Sequence, residues 1–287
     1  MNRRELEKVL MVVAVALMAI IAYLVLVNGA ECEARADGTP EGIAASAAPT
    51  SQWCELDGWC PPPHVPGPAT AEVDFPRAEH LRLIGRLAEG IYKVRTMGGK
   101  VPYWYCGMPH RGTLARDLAM TVAWHTVRAA HLASDERREL NVWGWAGTLS
   151  NEGGFDICSL GTNPRRLAYR LGVLTPRRLT LSHTKDDVRR AITDPRMESR
   201  CRTYDLGMAQ TLDTHYRRWL RRNHQQGDKT DLLEWKGFYW QATYMHSLAV
   251  LHETDRPWMY WPGYRAPWKD KRVTRHARLL GATKEEI

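Results

Sequence analysis

Apolar residues are distributed along this chain in two regimes. Val9–Val27 is apolar throughout apart from one tyrosine, whereas from residue 78 onward apolar positions return every three or four residues. Leu81, Leu83, Ile84, Leu87 and Ile91 recur in this way and predict an amphipathic helix over Glu79–Val94. Leu114, Leu118, Val122 and Val127 predict a second over Thr113–Leu132, with Thr113 as its N-cap. Glu139–Asn151 carries Gly144, Ala146 and Gly147 beside Trp143 and Trp145. Those small residues let neighbouring helices approach closely, and Gly153-Gly154 stops the helix. Leu206–Arg222, Asp231–Leu251 and Lys269–Leu280 complete the helical set. No run of alternating β-branched residues is long enough to anchor a sheet, so the expected fold class is all-α over residues 78–287.

The N-terminal quarter reads differently. Val9–Val27 is long enough at helical rise to cross a bilayer core. Arg3, Arg4 and Lys8 before it keep the N-terminus cytoplasmic and send the rest outside. An uncleaved anchor within residues 1–30 is favoured over a cleaved signal, for which Ala34-Arg35-Ala36 is the small-x-small alternative. The expected location is the inner membrane of a bacterium, single-pass, with the domain in the periplasm or outside, or secreted if cleavage occurs. Residues 31–77 read as a Pro/Ala/Gly-rich tether, including Pro61-Pro62-Pro63.

Charge is divided along nearly the same boundaries. Residues 1–30 carry +1 and Glu31–His80 carries nine acids and two bases, net −7, which leaves +14 on residues 81–287 out of +8 overall. A basic domain on an acidic tether points to a polyanionic partner, or to a tether that folds back on the domain. An exported chain does not ordinarily meet nucleic acid, and none is expected as a partner. The six cysteines read as disulfide candidates in an oxidising compartment. Cys158 with Cys201, and Cys54 with Cys60, are the pairings weighed, leaving Cys32 and Cys106.

Chemistry is suggested by one carboxylate at a helix end. Glu152 closes the Glu139–Asn151 run, with Trp145, Leu149 and Phe155 near in sequence. Gly153-Gly154 after it leaves room for a bulky group. Burial and a helix C-terminus both disfavour an ionised carboxylate, which suits a general acid. Gly207-Met208-Ala209-Gln210 follows, then Met259-Tyr260-Trp261-Pro262-Gly263, then a basic helix. That order over residues 112–282 resembles the soluble lytic transglycosylase and goose-type lysozyme family, whose domain runs Glu-Ser, Gly-Leu-Met-Gln, Ala-Tyr-Asn-x-Gly and a closing basic helix. The resemblance implies a lysozyme-like all-α domain that cleaves peptidoglycan between N-acetylmuramic acid and N-acetylglucosamine. It makes Glu152 the single acid/base and Gly207, Met208, Gln210, Tyr260, Tyr204 and Phe155 the substrate-binding set, with Gly207 and Gln210 in a turn that shapes the glycan groove and Tyr260 holding the acid or the sugar. Three features depart from the family. Gly153 replaces the serine, Trp261 replaces the asparagine, and the 152-to-207 gap is longer. That gap holds a basic insertion around 159–203 with Arg165-Arg166, Arg177-Arg178 and Arg189-Arg190.

The resemblance implies non-hydrolytic cleavage that leaves a 1,6-anhydro end and needs no cofactor. Hydrolysis would need a second carboxylate, for which Asp156, Glu198 and Asp205 are the candidates, Asp205 being equally a helix cap. A metal site is not expected. His125 and His131 are six apart, as are His246 and His252, unlike the i, i+4 spacing of a helical zinc pair. The alternative from another class is a membrane-tethered, non-catalytic glycan-binding or envelope-scaffold protein.

Overall fold

Helix dominates the described chain, and the reasons are local before they are tertiary. The computed structural model describes residues 75–175, 182–200, 203–263 and 267–287. α1 (Ala78–Thr96) starts where the Arg77 N–H donates to His80 Nδ1, 3.1 Å, and ends at Met97 in a left-handed conformation. A hairpin of β1 (Tyr103–Tyr105) and β2 (Met108–His110) follows. Tyr105 pairs with Met108, so Cys106-Gly107 forms a two-residue turn, and both residues have positive φ as such a turn requires. α2 (Gly112–Ala133) is the longest helix described. It begins after Arg111, so Thr113 lies inside the first turn and is not the N-cap.

α3 (Val142–Glu152) is capped by Asn141, whose Oδ1 accepts from the Gly144 N–H at 2.7 Å. The insertion folds as α4 (Thr162–Arg170), α5 (Lys185–Thr193) and the single turn α6 (Pro195–Glu198). Thr184 and Asp187 form a reciprocal capping box at the start of α5. Its basic residues are partly consumed locally: Arg189 reaches Glu234 and Arg190 reaches Asp187. Arg177-Arg178 lies outside the described residues.

The helix expected over Leu206–Arg222 divides in two. Asp205–Leu206 (β3) and Thr211–Leu212 (β4) form a minimal antiparallel hairpin, and α7 (Asp213–Arg222) starts only after it. Gly207 and Gln210 have φ of 75° and 52°, which α-helix does not permit, so the tetrad between them is a turn. Asp205 is accordingly a strand residue and starts no helix at Leu206. The Asp231–Leu251 run likewise breaks at Glu234 into a 3₁₀ turn (Lys229–Leu233) and α8 (Trp235–Leu251). A second 3₁₀ turn (Pro257–Gly263) leads to α9 (Pro267–Leu279).

α1 packs along α2, α2 along α8, and α3 along α9. The small residues of α3 set the last contact. A Cβ on Gly144 would fall 1.9 Å from the Trp258 ring, and one on Gly147 would fall 2.6 Å from the Val273 carbonyl oxygen. Trp145, Trp258, Trp261, Leu149 and Phe155 are fully buried around this seam. Trp145 meets Trp261 edge-on with centroids 6.0 Å apart. No described helix is long and apolar enough to cross a membrane. Val9–Val27, the tether to residue 74, and Cys32, Cys54, Cys60 and Cys201 lie outside the described residues.

Cys158 is bonded to Cys106, not to Cys201. Proximity explains the correction: both cysteines flank the same buried carboxylate. Asp156 Oδ1 accepts from the N–H groups of Cys106 and Cys158, each at 3.0 Å. The bridge ties the β1–β2 turn to the segment that follows Glu152. Cys106→Ser should therefore lower unfolding stability by about 2–4 kcal/mol in urea titrations, as closing a loop of this length predicts. Reductant should erase the difference from wild type.

His215 on α7 gives a pH signature. Burial, reinforced by Arg218, pushes its imidazole down to about 4, while Nδ1 meets the Tyr244 hydroxyl at 2.8 Å. The unfolded chain then binds the extra proton between its ordinary value of 6.5 and about 4, so stability is present above 6.5 and lost as pH falls through that window. The loss attributable to this group is up to about 3 kcal/mol. His215→Gln should show a shallower stability decline than wild type from about pH 7 to about pH 4.5 in urea titrations.

Candidate active site

Glu152 is the last residue of α3. The Gly153 N–H closes the helix onto the Leu149 carbonyl at 3.2 Å, so the carboxylate projects from the helix end. Its side chain is one-fifth exposed. Oε1 accepts from Asn151 Nδ2 at 3.1 Å and lies 3.4 Å from the Lys269 ammonium. Lys269 is only 6% exposed at the side chain and donates to the Trp261 carbonyl at 2.8 Å. A buried ammonium needs such partners, because desolvating an unpaired charge costs several kcal/mol. Close by in the same helix, Ser150 Oγ meets His276 Nδ1 at 2.9 Å. Burial holds the His276 imidazole below its ordinary value, Arg275 and Arg272 add to this, and Glu152 opposes it.

The Gly207–Gln210 turn lies directly against this helix end. A Cβ on Gly153 would fall 2.2 Å from the Met208 carbonyl oxygen, so glycine is what allows the two backbones to touch. The turn is fastened from three sides. The Gly207 N–H and Gln210 Nε2 both donate to the Ser159 carbonyl, at 3.0 and 3.1 Å. Gln241 Nε2 donates to the Leu206 carbonyl at 3.0 Å. Trp261 Nε1 donates to the Ala209 carbonyl at 2.9 Å. The three separated motifs of the sequence thus meet: Glu152-Gly153 on Met208, Ala209 on Trp261, and Trp261 through Lys269 back to Glu152.

Several expected roles change with the geometry. The space after Glu152 is filled. Met208 occupies the Gly153 side, and on the Gly154 side a Cβ would fall 2.6 Å from Arg95 Nη1. Phe155 and Met208 are fully buried, and Tyr204 is nearly so. These three are core residues and present no surface to a substrate. Gln210 is also turned inward, closing its own turn by donating to the Gly207 carbonyl at 2.9 Å. Tyr260 stacks on His252, rings nearly parallel and 3.7 Å apart. Asp156 is buried under the disulfide, and its carboxyl is pushed up by that burial against the N–H donors that hold it. Asp205 lies against Gly161, whose N–H donates to the Asp205 carbonyl at 2.8 Å. Glu198 is 62% exposed on α6 and faces Lys229 at 3.8 Å.

Lys269, Ser150 and His276 are not among the residues that the sequence motifs single out. Periodicity carries a faint signal: Lys269, Val273, His276 and Leu280 share one helical face. A lysine on that otherwise inward face implies a buried partner. Trp261, which stands where the resembled pattern has asparagine, is one of the residues that fasten the turn. A metal-like grouping of Cys106, Asp156 and Cys158 also occurs, but its two sulfurs are bonded to each other. Comparison with family models, curated proteins and solved structures finds no match to the chain.

Gly153→Ala should separate the α3 end from the Met208 carbonyl. We expect a loss of about 1–3 kcal/mol in thermal or urea unfolding, the usual cost of forcing extra atoms into a packed site. Gly85→Ala, where an added Cβ meets nothing within 4 Å, should be neutral or stabilising in the same assay.

Proposed function

We propose that the chain is a lysozyme-like, all-α peptidoglycan lytic transglycosylase that uses Glu152 as its single acid/base. The observation that carries this reading is the meeting of the three motifs around one partly exposed carboxylate, through Gly153 on Met208, Trp261 on Ala209 and Lys269 on Glu152. In this mechanism the protonated Glu152 gives its proton to the glycosidic oxygen as the bond from muramic C1 breaks. The substrate's own N-acetyl oxygen takes up the positive charge at C1. The Glu152 carboxylate then takes the C6 hydroxyl proton, O6 bonds to C1, and the acetamido group is released. Protons balance, and no water or cofactor enters. The second carboxylate of a hydrolytic mechanism has no support at Asp156, which is buried beneath the disulfide. An anchor at Val9–Val27 would hold such a domain beside the wall of a bacterium.

The ion pair itself favours a second reading. Glu152 is engaged by Lys269, and the space after it is filled by Met208 and Arg95. A non-catalytic, membrane-tethered glycan-binding or scaffold protein keeps those ties and never releases the carboxylate.

Glu152→Gln separates the two. Wild type incubated with purified peptidoglycan should yield 1,6-anhydro muropeptides by mass spectrometry, and the variant should be slower by about 10²–10⁴-fold, the usual worth of a general acid. Reducing-end products would mean hydrolysis. Wall binding without fragments in either protein would establish the scaffold reading.

A further inference from the structure

α9 is two-faced, and its outer face is the opposite of the one that reaches Glu152. Lys269, Val273, Ala277 and Leu280 are buried inward. Lys271, Thr274, Arg275, Arg278 and Leu279 turn away from them and line an open recess of about 470 Å³. Leu279 is 55% exposed within it. Several basic residues elsewhere in the domain are matched by acids: Arg86 by Glu286, Arg116 by Glu89, Arg189 by Glu234 and Arg256 by Asp270. Among the described residues, no acid forms an ion pair with Lys271, Arg275 or Arg278. Asp270, the acid of α9 itself, is taken by Arg256 and by the Trp258 indole N–H. The recess therefore presents three uncompensated cations around one exposed leucine.

We propose that this recess is the docking site for the chain's own acidic segment, centred on Trp53–Trp59. Three observations favour that occupant over a membrane or a second copy. Glu31–His80 carries net −7, and Glu55 and Asp57 stand between Trp53, Leu56 and Trp59, an acid-and-apolar pattern that matches cations around a leucine. The lining is a single open helix face running from Lys271 to Leu279, about 12 Å at helical rise, a strip that a few residues of extended peptide can cover. The segment is also close enough to arrive. Eighteen positions separate Asp57 from Phe75, where the described chain begins, and an extended chain of that length reaches about 60 Å. A covalent link of this kind gives an effective concentration of about millimolar, so even weak complementarity is populated. None of this depends on the reaction proposed for Glu152.

Zero-length carbodiimide crosslinking of the full chain in non-ionic detergent, with peptide mapping of the monomer band, tests it. The expected product joins Lys271 to Glu55 or Asp57 at low salt. Its yield should fall about fivefold or more in about 0.5 M NaCl, where the Debye length drops to a few ångströms. An equal fall is expected in the Arg275→Gln/Arg278→Gln variant, which keeps Lys271 as the reporter. Both arginines are exposed, so the variant should retain the wild-type unfolding midpoint. The proposal is overturned if no such product forms, if tether carboxylates join other lysines as often as Lys271, or if the yield is unchanged in the double variant. Crosslinks from Lys271 confined to a dimer band would overturn it in favour of a second copy. Binding to phosphatidylglycerol vesicles that the double variant loses, with no crosslink at Lys271, would overturn it in favour of the membrane.

Discussion

The arrangement around Glu152 depends on one backbone approach, that of Gly153 to the carbonyl of Met208. The added Cβ of any other residue would sit inside the carbonyl oxygen's contact distance, so the helix end and the turn could not meet. Once they do meet, the remaining ties follow in sequence. The Ser159 carbonyl lies in reach of Gly207 and Gln210, and the Ala209 carbonyl faces the Trp261 indole. Each bond is worth only about 1 kcal/mol net, but each satisfies a buried group whose loss would cost more. The buried polar groups of the turn are thus satisfied from three separate segments of the chain.

The same packing explains part of the tryptophan excess. Twelve Trp against three Phe suggest either sugar stacking or ordinary core. Trp145, Trp258 and Trp261 are core, and two of them use the indole N–H as well as the ring: Trp258 donates to Asp270 at 3.1 Å and Trp261 to the Ala209 carbonyl at 2.9 Å. Phenylalanine would fill similar volume without making those bonds. At these positions tryptophan is selected by geometry, without any sugar.

What is legible in the sequence follows from period and glycine. The amphipathic spacing locates α1 and α2 to within a few residues because one face of each is buried along its length, whereas α3, buried on every side from Trp143 to Leu149, is located by its small residues and the Gly153-Gly154 stop. The break inside Leu206–Arg222 is hidden from the local pattern, because Gly207-Met208-Ala209-Gln210 has no proline and three residues that tolerate helix, and it is the resemblance that marks the tetrad as a turn. Tertiary bonds involving Ser159, Gln241 and Trp261, together with the local bonds from Gln210 to the Gly207 carbonyl, hold it as a turn. The disulfide is hidden for a similar reason. Sequence neighbourhood favours Cys201, whereas a hairpin 52 positions upstream brings Cys106 to Cys158. Lys269 is equally hard to see, because a lysine in a basic helix reads as surface until its burial is known.

Lys269 also decides how the two readings of Glu152 differ physically. A scaffold carboxylate stays with its cation, whereas an acid/base must leave it to meet the glycosidic oxygen. Leaving would be prohibitive if it stranded a buried ammonium. Lys269 is not stranded, because its closer partner is the Trp261 carbonyl at 2.8 Å, against 3.4 Å to Glu152. The carboxylate is the more exposed member of the pair, a fifth against 6%, and its Oε1 is also held by Asn151 Nδ2 at 3.1 Å. The acid/base reading therefore requires the carboxylate to leave both Asn151 and Lys269, whereas the scaffold reading keeps both contacts.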